Sequence, residues 1–278
     1  MKKVMRLSIK FSLVLLFWLF VWQLAAFIVG EPPKFSGNIT QYIGQCIIEF
    51  FTDSGNLLLL PGPIPVFKRF FELAVTWGFW QTALISLSRV GIGALAAILC
   101  GAALAALCFR FRLLRDIFTP FITVVKSTPI SSFIILVLLW IGRDWVPSWI
   151  AALIVLPAVY ENLITGFGKA DIQLLEMARI FEVPKTLRVR RIYISAAKPY
   201  FFSACRLSLG LAWKAGIAAE VLSLPRVAIG KYLYESKLYL ETVDLFSWTL
   251  TVILLSLVIE RIFVSVFEKM RRGEDGKA

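Results

Sequence analysis

The chain of 278 residues contains no histidine. That one absence removes Ser-His-Asp and Cys-His nucleophilic machinery, His-ligated zinc and HExxH chemistry together. A GxxxxGK[ST] phosphate loop is also missing. The nearest fragments, Gly168-Lys169-Ala170 and Gly230-Lys231-Tyr232, lack both the earlier glycine and the hydroxyl that would hold magnesium. The chain alone is therefore not expected to bind or hydrolyse ATP. If it works against a gradient, the energy comes from another subunit. The cysteines Cys46, Cys100, Cys108 and Cys205 show neither a disulfide framework nor metal-ligand spacing, and they read as packing residues. No catalytic residue, metal or cofactor is expected.

Charge is scarce as well, at 17%, while 59% of the residues are hydrophobic and the mean hydropathy is +0.78. A soluble domain with this composition would expose apolar surface that water does not tolerate. The chain is expected to be an all-α integral membrane protein. A spanning helix needs about 20 apolar residues, and six stretches qualify: roughly 11–29, 84–108, 117–141, 147–167, 199–222 and 245–267. The first follows a basic start, as a signal peptide would. It is longer than a typical h-region and ends at VGEPPK without a small-x-small site, so it reads as a retained span, with cleavage the alternative.

Orientation follows from the basic residues. Counting the N-terminus as inside places Lys2, Lys3, Arg6 and Lys10 in the cytoplasm, then Arg110, Arg112 and Arg115, and then Lys169 and the basic run from Arg179 to Lys198. Arg261, Lys269, Arg271, Arg272 and Lys277 fall on the same side. The other side holds far fewer, among them Lys34, Lys68, Arg69, Arg143 and Arg226. Both termini are thus expected in the cytoplasm. This topology accounts for the net charge of +12, so the charge does not point to nucleic acid.

Between the first two spans lies an extracytoplasmic stretch, 30–80, punctuated by GEPPK and LPGPIP. Its end, IPVFKRFFELAVTWGFW, reads as an amphipathic helix lying in the interface. The sequon at Asn38 carries no weight. In the second span Gly93, Ala97, Gly101 and Ala105 recur every four residues, which predicts a tight seam with another helix within the bundle or a dimer. The alternative is a helix that is merely rich in alanine. Pro120, Pro129, Pro147, Pro157 and Pro199 favour kinks. The polar run from Lys126 to Ser132 suits a span that faces protein or water.

The segment 171–195 is charged yet helix-prone. Asp171 suits an N-cap, and Leu174, Leu175, Ala178 and Phe181 share a face. Pro184 stops this helix, and Lys185 opens a second one carrying Arg188, Arg190 and Arg191. Two short helices at an angle would make a cytoplasmic knob whose apolar Met177, Ile180 and Phe181 suit a docking surface. The alternative is an amphipathic loop lying on lipid headgroups.

This segment resembles the EAA loop of ABC-transporter permeases, with Glu176, Met177 and Ala178 at the opening and Ile192 and Ile194 at the close. Glu182 stands where that pattern has glycine, and Ser195 where it has proline. A turn built differently is expected at Glu182. The stretches LLLLPGPIPVF, WQTALISLSRVGIGALAAILCGAALA, VVKSTPISSFIILVLLWIG and ACRLSLGLAWKAGIAAEVL are similar to the nitrate/sulfonate/taurine branch of these permeases, over about 57–270.

The resemblance implies a six-helix type I permease fold working as a dimer, with a homodimer expected. It also implies two cytoplasmic ATPase subunits and an extracytoplasmic solute-binding protein. An N-terminal span and extracytoplasmic segment, 1–79, would precede the type I transmembrane domain, 80–267, and a short cytoplasmic tail, 268–278, would follow. Glu176, Met177, Ala178, Arg179, Phe181 and Glu182 would form the ATPase-coupling element. Ala178 would stay small to let the two surfaces approach. The membrane would be the inner membrane of a prokaryote.

Lys214 and Glu220 lie in the fifth span without sharing a face. A charge at that depth costs about 2.5–3.5 kcal/mol, so Lys214 is expected to face the bundle interior. There it either attracts an anionic solute or pairs with a carboxylate such as Glu161 or Glu220 of the partner. Lys126, with Thr128 beside it, poses the same choice, and Glu220 suits an outer gate or the binding-protein contact. A self-contained secondary transporter or channel is the rival class. It would show an inverted repeat or intramembrane acid pairs, neither of which is visible.

Overall fold

The computed structural model describes residues 2–29 and 59–275, and every described element is helical. The GEPPK turn, the Asn38 sequon, Lys34 and Cys46 lie outside the described residues. The helices are α1 (Lys2–Val29), α2 (Pro63–Val75), α3 (Trp77–Arg110), α4 (Arg112–Ser127), α5 (Ile130–Trp140), α6 (Val146–Gly168) and α7 (Ile172–Ile180). They continue with α8 (Lys185–Arg188), a π-helical turn (Val189–Tyr193), α9 (Ile194–Ser223), α10 (Ile229–Leu238) and α11 (Thr242–Asp275).

Three of these are long and apolar enough to cross a membrane: α3, α6 and the Thr242–Ser265 part of α11. A fourth span results if the bent pair α4–α5 counts as one. Within α1 the apolar helix Leu16–Val29 is shorter. At 30 residues α9 has the length to span, but it carries Lys198, Arg206, Lys214 and Glu220.

The stretch 117–141 is not the single straight span its apolar run suggests. It breaks at Thr128-Pro129, and α4 and α5 meet at 105°. The cause is local. Proline has no N–H and disfavours the α conformation in the residue before it, and Thr128 sits extended at φ −80°, ψ 133°. Pro129 then opens the next helix, its carbonyl accepting from Ser132 and Phe133.

The chain forms two compact units. One comprises Met1–Gln81 and Tyr232–Val252. Here Trp22 Nε1 donates to the Pro61 carbonyl (3.0 Å), and a stack runs from Phe79 through Trp248 to Tyr232, with centroids 5.2 and 4.8 Å apart. Arg69 grips Asp244 with two prongs, Nε to Oδ1 at 2.6 Å and Nη2 to Oδ2 at 3.0 Å. That pairing raises the pKa of the guanidinium above its ordinary value. The amphipathic helix expected before the second span is α2, opened by Pro63.

The other unit comprises Thr82–Lys231 and Ile253–Ala278, and its densest packing is between α6 and α9. The small-residue stripe does form a seam, within this chain and against α6. Gly93, Ala97, Gly101 and Ala105 are all buried. A Cβ at Gly93 would collide with the Ser148 backbone, and one at Gly101 would lie 3.0 Å from the Leu156 carbonyl. Backbones this close give α3 and α6 the dispersion contact that holds helices together in lipid. Ile134, Val137, Val146, Ile150, Ala215 and Ala219 then close a core from α5, α6 and α9.

Candidate functional site: an exposed helical knob and paired charges

Helix α7 begins as its sequence predicts, with the Asp171 carboxylate accepting from Gln173 N–H at 2.8 Å. Its end differs from expectation. Glu182 adopts φ +51°, the left-handed conformation that glycine enters without strain. Val183 N–H reaches the Ala178 carbonyl (3.0 Å), and Glu182 N–H reaches that of Arg179 (3.2 Å). This is a complete Schellman cap with glutamate at the glycine position. The turn is therefore built the usual way, with a strained residue in it. Arg188 locks it, its Nε and Nη2 both donating to the Val183 carbonyl at 3.1 and 3.0 Å.

The second helix of the knob is not a separate short one. From Lys185 the helix runs unbroken through the π-turn into α9, with Ser195 inside it. The knob is thus a lever fused directly to the fifth span.

Ala178 is 6% exposed, so its small size serves packing within the chain, and it does not form part of the outer surface. That surface is made by Ile172, Met177, Ile180 and Phe181, with Ile180 and Phe181 exposed at 77% and 73%. Glu176, Arg179 and Glu182 are also exposed. Met177, Phe181, Val183, Leu187 and Ile192 line an apolar groove of about 310 Å³ beside the turn.

Within the described helices, charges pair across elements. Glu220 is fully buried. Its Oε2 accepts from Ser86 Oγ (2.9 Å) and from Gly230 N–H (3.1 Å), and its Oε1 lies 3.8 Å from Arg89 Nη1. Arg89 in turn donates to the Val227 carbonyl (2.5 Å) and to Asp144 (2.6 Å). Ser86 accepts from Ile229 N–H at 3.0 Å. One carboxylate therefore pins the segment 224–230 to α3. Ser86, Arg89 and Gly230 were not singled out from sequence, because their pairing with Glu220 is across helices and leaves no periodic signal.

Lys126 pairs with Glu161 at 2.6 Å, and Thr128 returns its hydroxyl proton to the Val124 carbonyl. Both line a cavity of about 200 Å³ with Phe133, Leu153 and Pro157. Arg206 pairs with Glu260 at 3.3 Å. Lys214 is exposed and forms no ion pair among the described residues. The carboxylates of Glu161 and Glu220 are both engaged elsewhere.

The all-helical chain carries helices long and apolar enough to cross a membrane and an exposed apolar knob at α7. The chain belongs to the family described as binding-protein-dependent transport system inner membrane components, whose model matches residues 93–272. Its relatives include SsuC of Bacillus subtilis (strain 168), a permease named for aliphatic sulfonates, at 26% identity over 68% of each chain. The nitrate import permease protein NrtB of Synechocystis sp. is 25% identical, over 66% of this chain and 70% of its own. The bicarbonate transport system permease protein CmpB of Synechococcus elongatus is 26% identical, over 70% and 74%. The chain is thus a multi-pass inner-membrane ABC permease subunit, not an enzyme, and membership implies ATPase and binding-protein partners.

Proposed function

We propose that this chain forms the membrane path of an ATP-driven importer for a small anion, and that two copies assemble around that path with both termini in the cytoplasm. The observation that carries the reading is Lys214. Of the four cations within or at the edges of the expected spans, Arg89, Lys126 and Arg206 each meet a carboxylate, and Lys214 meets none among the described residues. An uncompensated ammonium within a span is costly and is retained where an anion passes. The relatives named for sulfonates, nitrate and bicarbonate agree with that sign.

The polar face of α4 supports the two-copy assembly. Arg112, Arg115, Asp116, Thr119 and Thr123 line an open groove of about 1080 Å³. Arg112 and Arg115 mark its cytoplasmic end, and a second copy facing the groove would share that aqueous opening. The knob, with Glu176, Met177, Arg179, Phe181 and Glu182 outward and Ala178 packed beneath, is the ATPase contact. The segments 1–79, 80–267 and 268–278 are the N-terminal, path-forming and tail portions. The test is uptake of radiolabelled nitrate, bicarbonate and ethanesulfonate by the assembled complex. Accumulation of one of them supports the reading, and transport of a cation or neutral solute in their place overturns it.

A further inference from the structure

Helices α9 and α11 enclose a groove of about 520 Å³. Its polar lining comes from Ser203, Arg206 and Lys214 on α9, which share one helical face with Gly210 by spacing, and from Ser256 and Glu260 on α11; leucines of α9 and Ile259 and Phe263 of α11 supply the apolar rest. The two cations lie eight residues apart, about 12 Å along the helix. Lys214 has no carboxylate partner among the described residues. Arg206 touches Glu260 only through Nη2, at 3.3 Å, and the pair is more than half exposed, at 57% and 55%. Most of the guanidinium donors are therefore free of that carboxylate, on a residue that lines the groove.

Gly210 stands between the two cations. A Cβ there would meet nothing within 4 Å, and its φ is not positive. Neither close packing nor backbone conformation requires glycine here. A glycine inside a helix is a destabilising choice, and here it leaves the space between the two cations unfilled.

We propose that this groove is a two-station anion track, in which Arg206 receives the solute from Lys214 and Gly210 keeps the passage between them open. The proposal rests on the reading that the solute is an anion. Glu260 tempers Arg206, so that the second station releases the solute instead of trapping it. The ligand is a compact monoanion with several acceptor oxygens, suited to the donors of Arg206 and the hydroxyls of Ser203 and Ser256.

The test uses the full complex in nanodiscs carrying Gly210→Cys, compared with the same complex without that change. Each sample is reacted with anionic sulfonatoethyl and with cationic trimethylammonioethyl methanethiosulfonate. Each rate is normalised to that reagent's rate with 2-mercaptoethanol. The track predicts a preference of about tenfold for the anionic reagent, reduced by Lys214→Gln and by Arg206→Gln and restored by Arg206→Lys. Equal normalised rates, a cationic preference or no reaction would overturn it. Uptake supplies the second arm, with Arg206→Gln and Gly210→Leu each expected to lower anion import at least about tenfold. If both import normally while Lys214→Gln does not, the track fails and the anion importer stands. If no anion is imported but the reagent preference holds, the importer reading fails and the groove remains an anion site.

Discussion

Glu220 and Gly230 meet with no space between them. The buried carboxylate accepts the Gly230 N–H at 3.1 Å, and a Cβ on Gly230 would strike Cβ of Glu220 and the Val221 backbone. The contact fastens the segment after α9 back onto the helix it has just left. Leu224, at φ +49°, makes the reversal. Gly230→Ala is therefore expected to destabilise by about 1–3 kcal/mol through overpacking. Glu220→Ala is expected to cost about 1–3 kcal/mol for each of the two buried donors, Ser86 Oγ and Gly230 N–H, that lose their acceptor, while Arg89 keeps Asp144. Thermal unfolding of the detergent-solubilised complex measures both, and melting points equal to wild type would refute the clamp.

The seam between α3 and α6 predicts a graded series. Gly93→Ala faces the Ser148 backbone, which cannot yield, and should cost about 1–3 kcal/mol. Gly210→Ala meets open space and should raise helix stability by up to about 1 kcal/mol. A reversed order of melting temperatures would contradict the packing described.

At the knob, Glu182→Gly should relieve the left-handed strain, stabilising the cap by about 1 kcal/mol. Amide exchange at Glu182 and Val183 reads this directly, as slower exchange in the variant. Arg188→Ala should have the opposite effect, since the Val183 carbonyl then loses both its donors.

Much of this architecture was legible from residue types alone. The N-cap at Asp171, the amphipathic α2 and the glycine-alanine stripe all follow from local chemistry, and the structure has each of them. The stop expected at Pro184 comes earlier, because α7 ends at Ile180 with its cap at Glu182, and Pro184 is the N-cap of α8. Local chemistry also explains what was missed. A left-handed glutamate is invisible in sequence, because its conformation is imposed by the cap it completes. The inward turn of Ala178 depends on how α7 meets the fused lever, which no spacing encodes. The break at Pro129 was readable as a kink, but its 105° angle was not. The partners of Glu220 come from α3 and from the segment 224–230, a pairing across helices that periodicity cannot report.

Exposed apolar side chains at the knob make its partner contact testable. Phe181→Ala should cost about 2 kcal/mol or more at the ATPase interface and release that subunit during pull-down, with membrane insertion intact. Ala178→Trp should release it too, by disordering the packing under α7. Normal ATPase stoichiometry in both would place the knob on lipid instead.

The central claim is that this chain is a path without a motor, selective for an anion through Lys214. The measurement that tests it most directly is solute accumulation in proteoliposomes, with the chain alone and with its ATPase and binding protein added. Nitrate, bicarbonate and ethanesulfonate serve as solutes. The account predicts no ATP hydrolysis and no accumulation by the chain alone. It predicts ATP-dependent anion uptake by the full complex, and uptake lowered at least about tenfold by Lys214→Gln with assembly and basal ATPase activity intact. Accumulation by the isolated chain, or full anion uptake by the Lys214→Gln complex, would contradict it.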